Sequence, residues 1–189
     1  SSPAAKAAIG SAASRYVTPG TTVGLDSGTT VTELARRLPD RAGLTVVTHS
    51  LTAMAELGDR DDLVLIGLGG LYHQSTRSFA AAGPPSALRS LRVDLVFLSA
   101  TALAPDGVYC ASPFEAESKR ALLAAGGRVV LLADASKPLR SAPVRVCGLD
   151  RLHAVVTDAR LRAEDRLWLV AAVPELRVVP DRVSDRAPD

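Results

Sequence analysis

The stretch TVGLDSGTTVTELARRL, residues 22–38, decides the fold. Its beginning, Thr22–Asp26, is mostly apolar and predicts a short strand, while apolar residues at helical spacing predict a helix over Thr30–Leu38. The loop between them contains a glycine, which lets the backbone turn sharply from the strand into the helix. A buried strand that leads straight into a helix is the repeating unit of a parallel sheet.

The same strand-and-helix unit recurs along the chain. Short apolar runs predict further strands at Leu44–Thr48, Leu63–Ile66, Val93–Ser99, Arg128–Asp134, Ala154–Thr157 and Leu176–Val179. Amphipathic stretches predict helices at Ala4–Tyr16, about Leu51–Leu57, Pro84–Leu91, Phe114–Ala125 and Ala163–Val173. The segment Thr101–Pro113 predicts an appended loop or short hairpin. We therefore expect an α/β domain with a Rossmann-like, mainly parallel sheet and helices on both faces.

Composition limits the classes of function. Of the 189 residues, 47% are hydrophobic and 22% are charged, as in a soluble globular domain. We expect residues 1–181 to form one domain and the polar residues 182–189 to be a disordered tail. A net charge of +2 is too small to indicate a nucleic-acid or membrane partner by itself. Cys110 and Cys147 lack CxxC spacing, so we expect free thiols, no metal, no cofactor and a cytoplasmic location.

Small, hydroxylated or charged residues follow the predicted strands, and ligands of open α/β sheets bind at the carboxyl ends of the strands. The candidate ligand-binding residues, in strand order, are Asp26, Ser27, Gly28, Thr29 and Thr30; Thr48, His49 and Ser50; Gly69 and Gly70; Thr101, with Ser99 before it; and Asp134 and Lys137. This coincidence at five strand ends predicts a composite pocket. Metal ligands are not expected among them, because the three histidines lack metal-ligand spacing, and we assign none of these residues a catalytic role.

The loop after the first strand is the strongest single candidate for an anion site. The amides at the start of a helix lack partners and carry partial positive charge, so a phosphate or carboxylate binds there readily. The alternative is that Ser27 or Thr29 only caps the helix. Lys137 could reach a phosphate as a point charge, or could be a solvated surface lysine. Asp134 could accept hydrogen bonds from ligand hydroxyls or cap the next turn.

Two further groups leave alternatives open. Glu115 and Lys119 are i,i+4 neighbours on a predicted helix, and an exposed pair of this kind is worth only ~0.3–0.5 kcal/mol. The alternative places one or both at the mouth of the pocket, because the preceding loop follows the fourth strand. Tyr72, His73 and Arg77 follow the glycine pair, and they form either a mobile lid or ordinary surface.

The ordered set of strand-end motifs resembles the effector-binding domain of DeoR-type bacterial transcription regulators, over about residues 4 to 160. The matching motifs are Leu25–Thr30, Val46–Ser50, Gly69-Gly70 with Tyr72, Val93–Leu98, Asp106–Val108, Glu115–Arg120, Asp134–Lys137 and Val155–Asp158. The resemblance implies a fold similar to ribose-5-phosphate isomerase and a phosphorylated sugar or related metabolite as effector. It also implies a homo-oligomer, dimer or tetramer, in a regulator that often represses sugar-metabolism operons.

Such regulators bind operator DNA through an N-terminal helix-turn-helix, which this chain lacks, so we expect a truncated chain and assign DNA binding to the parent protein alone.

His49 stands where the family usually has Asn, and Ser99–Ala102 departs from a glycine-containing pattern. Related isomerases have an acidic cluster at that place. We therefore expect a sensor rather than an enzyme. A sugar-phosphate isomerase-like enzyme is the alternative, with Glu115 and Glu117 as candidate bases.

Overall fold

The computed structural model describes residues 2–80 and 86–180. Its α-helices are α1 (Pro3–Ala13), α2 (Thr29–Ala35), α3 (Leu51–Leu57), α4 (Ser86–Arg89), α5 (Pro113–Ala125) and α6 (Ala163–Ala172). The first six strands are β1 (Thr22–Leu25), β2 (Thr45–Thr48), β3 (Val64–Gly67), β4 (Leu71–His73), β5 (Ser78–Ala80) and β6 (Val93–Ser99). The other six are β7 (Ala102–Ala104), β8 (Gly107–Cys110), β9 (Gly126–Leu132), β10 (Val144–Cys147), β11 (Ala154–Asp158) and β12 (Leu176–Val179).

Seven strands form one parallel sheet in the order β12-β11-β9-β6-β1-β2-β3. The chain begins in the middle, runs outward to β3, and then returns to place β6 on the other side of β1. The strand order therefore reverses between β1 and β6, and this reversal opens a crevice at their carboxyl ends. The predicted α/β class and mainly parallel sheet are confirmed.

Alternation along the strands divides the core between the two faces of the sheet. Leu95 and Phe97 of β6 belong to a cluster that includes apolar residues of α1, α2 and α3. Their neighbours Val96 and Leu98 belong to a second cluster, with residues of α4, α5 and α6. All four side chains are at most 5% exposed. Burial on both faces explains why the strands read as continuous apolar runs.

Helices α1 and α2 approach each other closely at Gly10. A Cβ atom at Gly10 would lie 2.7 Å from the backbone carbon of Glu33 and 2.8 Å from the backbone nitrogen of Leu34. Because Gly10 has no side chain, the backbone of α1 can approach the backbone of α2 closely at this point. This contact fixes the position of α2, whose first turn borders the crevice.

Two small antiparallel sheets accompany the large one. The segment Thr101–Pro113 contains a hairpin, β7–β8, and β10 joins it as a third strand. The hairpin agrees with one of the two alternatives for this segment, whereas the sequence pattern does not predict β10. Nor does it predict the hairpin β4–β5, in a segment interpreted as a lid or ordinary surface. The expected start of the fifth strand at Arg128 was wrong, because β9 begins at Gly126, directly after α5.

The expected disordered tail, residues 182–189, lies outside the described residues, as does the expected beginning of a helix at Pro84. Within 2–80 and 86–180, no helix is long and apolar enough to cross a membrane.

Candidate functional site

A cavity of about 510 Å³ opens at the carboxyl ends of β1 and β6, where the strand order reverses. Its size lies within the range of small-molecule sites. The cavity is lined mainly by hydroxyl and charged groups. Its lining residues are Ser27, Gly28, Thr29, Thr30, Thr32, Glu33, Arg36, Thr52, Ser75, Thr76, Arg77, Ser99, Ala100, Thr101, Glu115, Leu132, Lys137 and Arg140.

A buried ion pair lies directly behind the cavity wall. Lys119 of α5 and Asp26 after β1 have no exposed side-chain surface, and the Lys119 ammonium donates a hydrogen bond to the Asp26 carboxylate. Lys119 Nζ also lies 2.9 Å from Ser99 Oγ and 3.2 Å from the Ser99 carbonyl oxygen. The backbone amide and hydroxyl of Ser99 each lie 2.8 Å from Asp26 Oδ2. This network ties the end of β1 to the end of β6.

The network keeps both groups charged. Burial by itself would raise the pKa of Asp26, but the Lys119 charge and hydrogen bonds from His49 and Lys119 hold that pKa well below its ordinary value. Burial by itself would lower the pKa of Lys119, but Asp26 and Glu115 raise it above its ordinary value. Each charge is thus stabilised by the other, since neither is in contact with water.

Glu115 lines the cavity in a fixed orientation at the start of α5. Ser112 caps this helix, because its hydroxyl accepts from the Glu115 amide at 3.2 Å. The Glu115 carboxylate accepts from the Ala111 amide at 3.2 Å, and its other oxygen lies 3.4 Å from Lys119 Nζ. Glu115 is therefore at the pocket, and the i,i+4 pair with Lys119 is buried rather than solvated. Of the two alternatives that the sequence left open, the exposed pair is therefore the one that the structure contradicts.

Basic side chains reach the cavity from three separate elements. Arg36 ends α2, Arg77 lies at the tip of the β4–β5 hairpin, and Lys137 and Arg140 follow β9. The Lys137 ammonium is 4.0 Å from Asp134 Oδ2, and its side chain is 19% exposed. Burial and the neighbouring charges of Arg140, Lys6 and Lys119 lower the pKa of Lys137, against the opposite effect of Asp134. Lys137 is thus not an ordinary solvated lysine.

The loop before α2 supplies the floor of the cavity. Its N-cap residue is Gly28, at φ +126°, and no side chain caps the helix. The alternative that Ser27 or Thr29 only caps α2 is therefore wrong. A Cβ atom at Gly28 would lie 3.0 Å from Ser99 Oγ, so the glycine allows the loop to approach the end of β6 closely.

The structure brings seven of the predicted residues to the cavity, and these are Ser27, Gly28, Thr29, Thr30, Thr101, Glu115 and Lys137. Two more, Asp26 and Lys119, lie behind the wall. The remaining six do not contact this cavity in the part of the chain that the structure describes: Thr48, His49, Ser50, Gly69, Gly70 and Asp134. Their role in ligand binding stays a prediction from the sequence.

The hydrogen bonds of these residues explain their positions. The Thr48 hydroxyl donates to the Leu25 carbonyl at 2.7 Å, and the Ser50 hydroxyl caps α3. His49 is 3% exposed, and its Nε2 lies 3.3 Å from Asp26 Oδ1. Asp134 accepts from the Ser136 amide at 3.0 Å, so it caps the turn that leads to Lys137. Gly69 and Gly70 lie between β3 and β4, at the base of the hairpin.

Part of the lining is not predicted by the sequence, because these residues do not follow strands of the parallel sheet. Arg36 lies at the far end of a helix, while Ser75 and Thr76 lie in a hairpin that the sequence did not reveal. Arg77 was noted only as a lid or surface residue. The spacing of Thr29, Thr32 and Arg36, which places them on one helical face, was the available signal.

Comparison with known proteins supports the same fold. The family described as the DeoR C-terminal sensor domain matches residues 1–159. The chain is 32% identical over 174 residues to the transcriptional repressor AccR of Agrobacterium fabrum, covering 91% of this chain and 66% of that protein. It is also 32% identical to the L-fucose operon activator of Escherichia coli, covering 82% of this chain and 64% of the activator. The chain thus spans slightly less than two thirds of these relatives.

Two solved structures share the fold. One is ribose 5-phosphate isomerase A from Neisseria gonorrhoeae, with a TM-score of 0.51 at 15% identity over 70% of this chain and 52% of that chain. The other is the translation initiation factor eIF-2B from Pyrococcus horikoshii, with a TM-score of 0.53 at 15% identity over 80% of this chain and 62% of that chain. At such identities the likeness establishes the architecture alone.

Proposed function

The chain belongs to the family of DeoR C-terminal sensor domains, and from this premise we propose that it senses a small effector within a transcriptional regulator. The effector is a phosphorylated sugar or a related metabolite, and its binding modulates DNA binding by the regulator. The regulator acts in the cytoplasm, as a repressor of sugar metabolism. Operator DNA is contacted by a helix-turn-helix outside this chain, since the chain's net charge of +2 offers no strong electrostatic attraction to DNA.

The observation that supports this proposal most directly is the set of basic side chains around the cavity. Four basic and two acidic side chains line it. Glu33 and Glu56 already pair with Arg36 at 2.6 Å. By contrast, no described carboxylate lies within 4.0 Å of the Arg77 or Arg140 guanidinium. A phosphate bound beside Arg140 and Lys137 would supply negative charge at that end of the cavity.

The other lining groups suit the rest of a sugar phosphate. The hydroxyls of Ser27, Thr29, Ser99 and Thr101 can donate or accept hydrogen bonds, and the Glu115 carboxylate can accept two. A polyol offers matching hydroxyls, whereas an apolar ligand would leave these groups unpaired at a cost of about 1–3 kcal/mol for each buried group. The site thus favours a ligand with several hydroxyl groups.

A thermal-shift screen tests the proposal. We expect pentose and hexose phosphates to raise the melting temperature, because a ligand that binds only the folded state stabilises it. Neutral sugars should have little effect. Lys137→Ala should remove most of the shift, while Arg166→Ala, which removes an exposed cation of α6 away from the cavity, should retain it. A full response in Lys137→Ala would place the site elsewhere.

The same ligands separate a sensor from an isomerase-like enzyme. Glu115 is the carboxylate that a proton-transfer mechanism would use, because it lines the cavity. Glu117 is exposed and does not contact the cavity in the described part of the chain. We expect binding without turnover. Conversion of a sugar phosphate that disappears in Glu115→Gln would overturn the sensor-only proposal, and Glu117→Gln is the matched control.

A further inference from the structure

We infer that the effector carries two anionic groups, one at each end of an extended polyol, and that Arg77 recognises the second group. This inference rests on the proposed function, since it assigns the first anionic group to Lys137 and Arg140. It adds a second subsite at the tip of the β4–β5 hairpin. Three features of the cavity support it: its extension along α2, the separation of Lys137 from Arg77 and the pairing of the charged groups between them.

The cavity extends along α2. Its lining follows one face of α2 from Thr29 through Thr32 to Arg36, which is about 10 Å of helix at 1.5 Å per residue. Thr52 of α3 also lines this part of the cavity, and its hydroxyl is hydrogen-bonded to that of Thr32 at 3.0 Å. A ligand seated at the strand ends can therefore extend along this face of α2.

Lys137 and Arg77 reach the cavity from widely separated parts of the sheet. Lys137 follows β9, and its amide donates to the Asp134 carbonyl at 3.0 Å. Arg77 is anchored at the end of β2, because its carbonyl accepts from the Leu51 amide at 3.0 Å. Three strand spacings separate β9 from β2 in the sheet, or about 14 Å between the two backbone anchors. A monophosphate bound beside Lys137 leaves the Arg77 end of the groove without an anion.

The groove between these ends offers no competing free charge. The two oxygens of Glu33 pair with Arg36 at 2.6 Å and with Arg37 at 2.5 Å, and Arg36 pairs also with Glu56. Glu115, nearer the strand ends, lies 3.4 Å from the Lys119 ammonium. The charged groups in the middle of the cavity thus already have partners, and the lining there is rich in hydroxyls, which suit the central carbons of a polyol. Arg77 is the unpaired cation at the far end of the described groove.

Arg77 holds its position through the hairpin. Its φ of +50° places it in the left-handed region, where it closes the turn with its amide donating to the Gln74 carbonyl at 3.3 Å. The backbone of Phe79 is joined to that of His49 by a hydrogen bond of 2.9 Å, so the hairpin is fastened to the end of β2. The guanidinium is therefore presented from an ordered backbone.

A matched series of ligands tests the second subsite. The probes are glucose 6-phosphate with one anionic group, 6-phosphogluconate with a phosphate and a carboxylate, and glucose 1,6-bisphosphate with two phosphates. Titration calorimetry should show that at least one doubly anionic probe binds about tenfold or more tightly than glucose 6-phosphate, as expected for a charge-assisted hydrogen bond. Comparison of the carboxylate and the second phosphate identifies which group Arg77 prefers.

The variant Arg77→Gly removes the guanidinium and tolerates the left-handed backbone, so the hairpin should keep its turn. We expect the advantage of the doubly anionic probes to vanish, while affinity for glucose 6-phosphate changes less than about twofold. Arg41→Gly is the matched control, since Arg41 is exposed, has φ +53° and does not line the cavity. That variant should retain the advantage.

The outcomes separate the two proposals. If glucose 6-phosphate binds as tightly as both doubly anionic probes, or if Arg77→Gly weakens all three equally, the second subsite is refuted and the sensor proposal stands. If none of the three probes binds and none of the other sugar phosphates of the thermal-shift screen does, the proposed function fails, and the second subsite fails with it.

Discussion

Lys119 places a charged group in the core, where α5 crosses the ends of β1 and β6. Replacing it with methionine keeps the length of the side chain but leaves the Asp26 carboxylate buried without its cation. We expect Lys119→Met to lower the free energy of unfolding by about 3–5 kcal/mol, as for other broken buried pairs. Denaturant unfolding followed by circular dichroism measures the change.

The controls for this prediction use the same helix and the same pair. Glu117→Gln changes an exposed charge of α5 and should alter the free energy of unfolding by no more than about 0.5 kcal/mol. The double variant Asp26→Asn with Lys119→Met removes both charges and should recover part of the loss. If the single variant is as stable as the parent, the pair contributes nothing and the network does not hold the strand ends together.

At the scale of single residues, the sequence predicted the loops that line the cavity better than the buried ion pair behind its wall. Ser27, Gly28, Thr29 and Lys137 were identifiable because strand ends and glycine loops are local features. The burial of Lys119 was not, because its principal partner Asp26 lies 93 residues away in the sequence. Its nearer partner, Glu115, lies four residues before it on α5, and this i,i+4 spacing is also typical of exposed ion pairs on helices. Non-local packing therefore decided between the two alternatives.

Among the elements, α1 and α2 give a prediction in which two effects oppose each other. Within a helix, Gly→Ala ordinarily stabilises by up to about 1 kcal/mol. At Gly10 the added methyl group would meet the backbone of Glu33 at 2.7 Å, and overpacking of this kind costs about 1–3 kcal/mol. We expect Gly10→Ala to lower the melting temperature.

The control for that prediction is Ser11→Ala in the same helix, because Ser11 is exposed and its side chain makes no hydrogen bond within the described residues. Its melting temperature should stay close to that of the parent. A rise in the melting temperature of Gly10→Ala would show that α1 and α2 can separate enough to admit a methyl group. In that case the placement of α2 beside the cavity would not depend on this contact.

The elements also show where sequence patterns succeed. The seven strands of the parallel sheet were all predicted, because each is a short apolar run, and the central strands are buried on both faces. The strands that were missed, β4, β5 and β10, are three or four residues long and pair in small antiparallel sheets. Exposed residues such as Leu71 and Tyr72 interrupt any alternation in β4. Short, partly exposed strands are specified by their partners more than by their own residues.

For the whole molecule, we propose that the domain forms a homo-oligomer, a dimer or a tetramer. Leu167 and Val170 lie one turn apart on α6 and are 74% and 59% exposed. A second group, Leu71, Tyr72 and Phe114, is 42% to 66% exposed beside the hairpin. Exposed apolar groups of this size are commonly covered by another chain. Light scattering after size exclusion should give a multiple of the 19.7 kDa chain mass.

Paired charge substitutions distinguish the two surfaces. If α6 forms the contact, Leu167→Glu with Val170→Glu should reduce the mass to that of one chain, and Leu71→Glu with Tyr72→Glu should leave the oligomer intact. Because all four side chains are exposed, each double variant should retain a cooperative melting transition. The reverse pattern would assign the contact to the hairpin, where it would adjoin Arg77 and could couple effector binding to assembly. A parent chain that remains monomeric at every concentration would refute the oligomer and leave both apolar surfaces without an explanation.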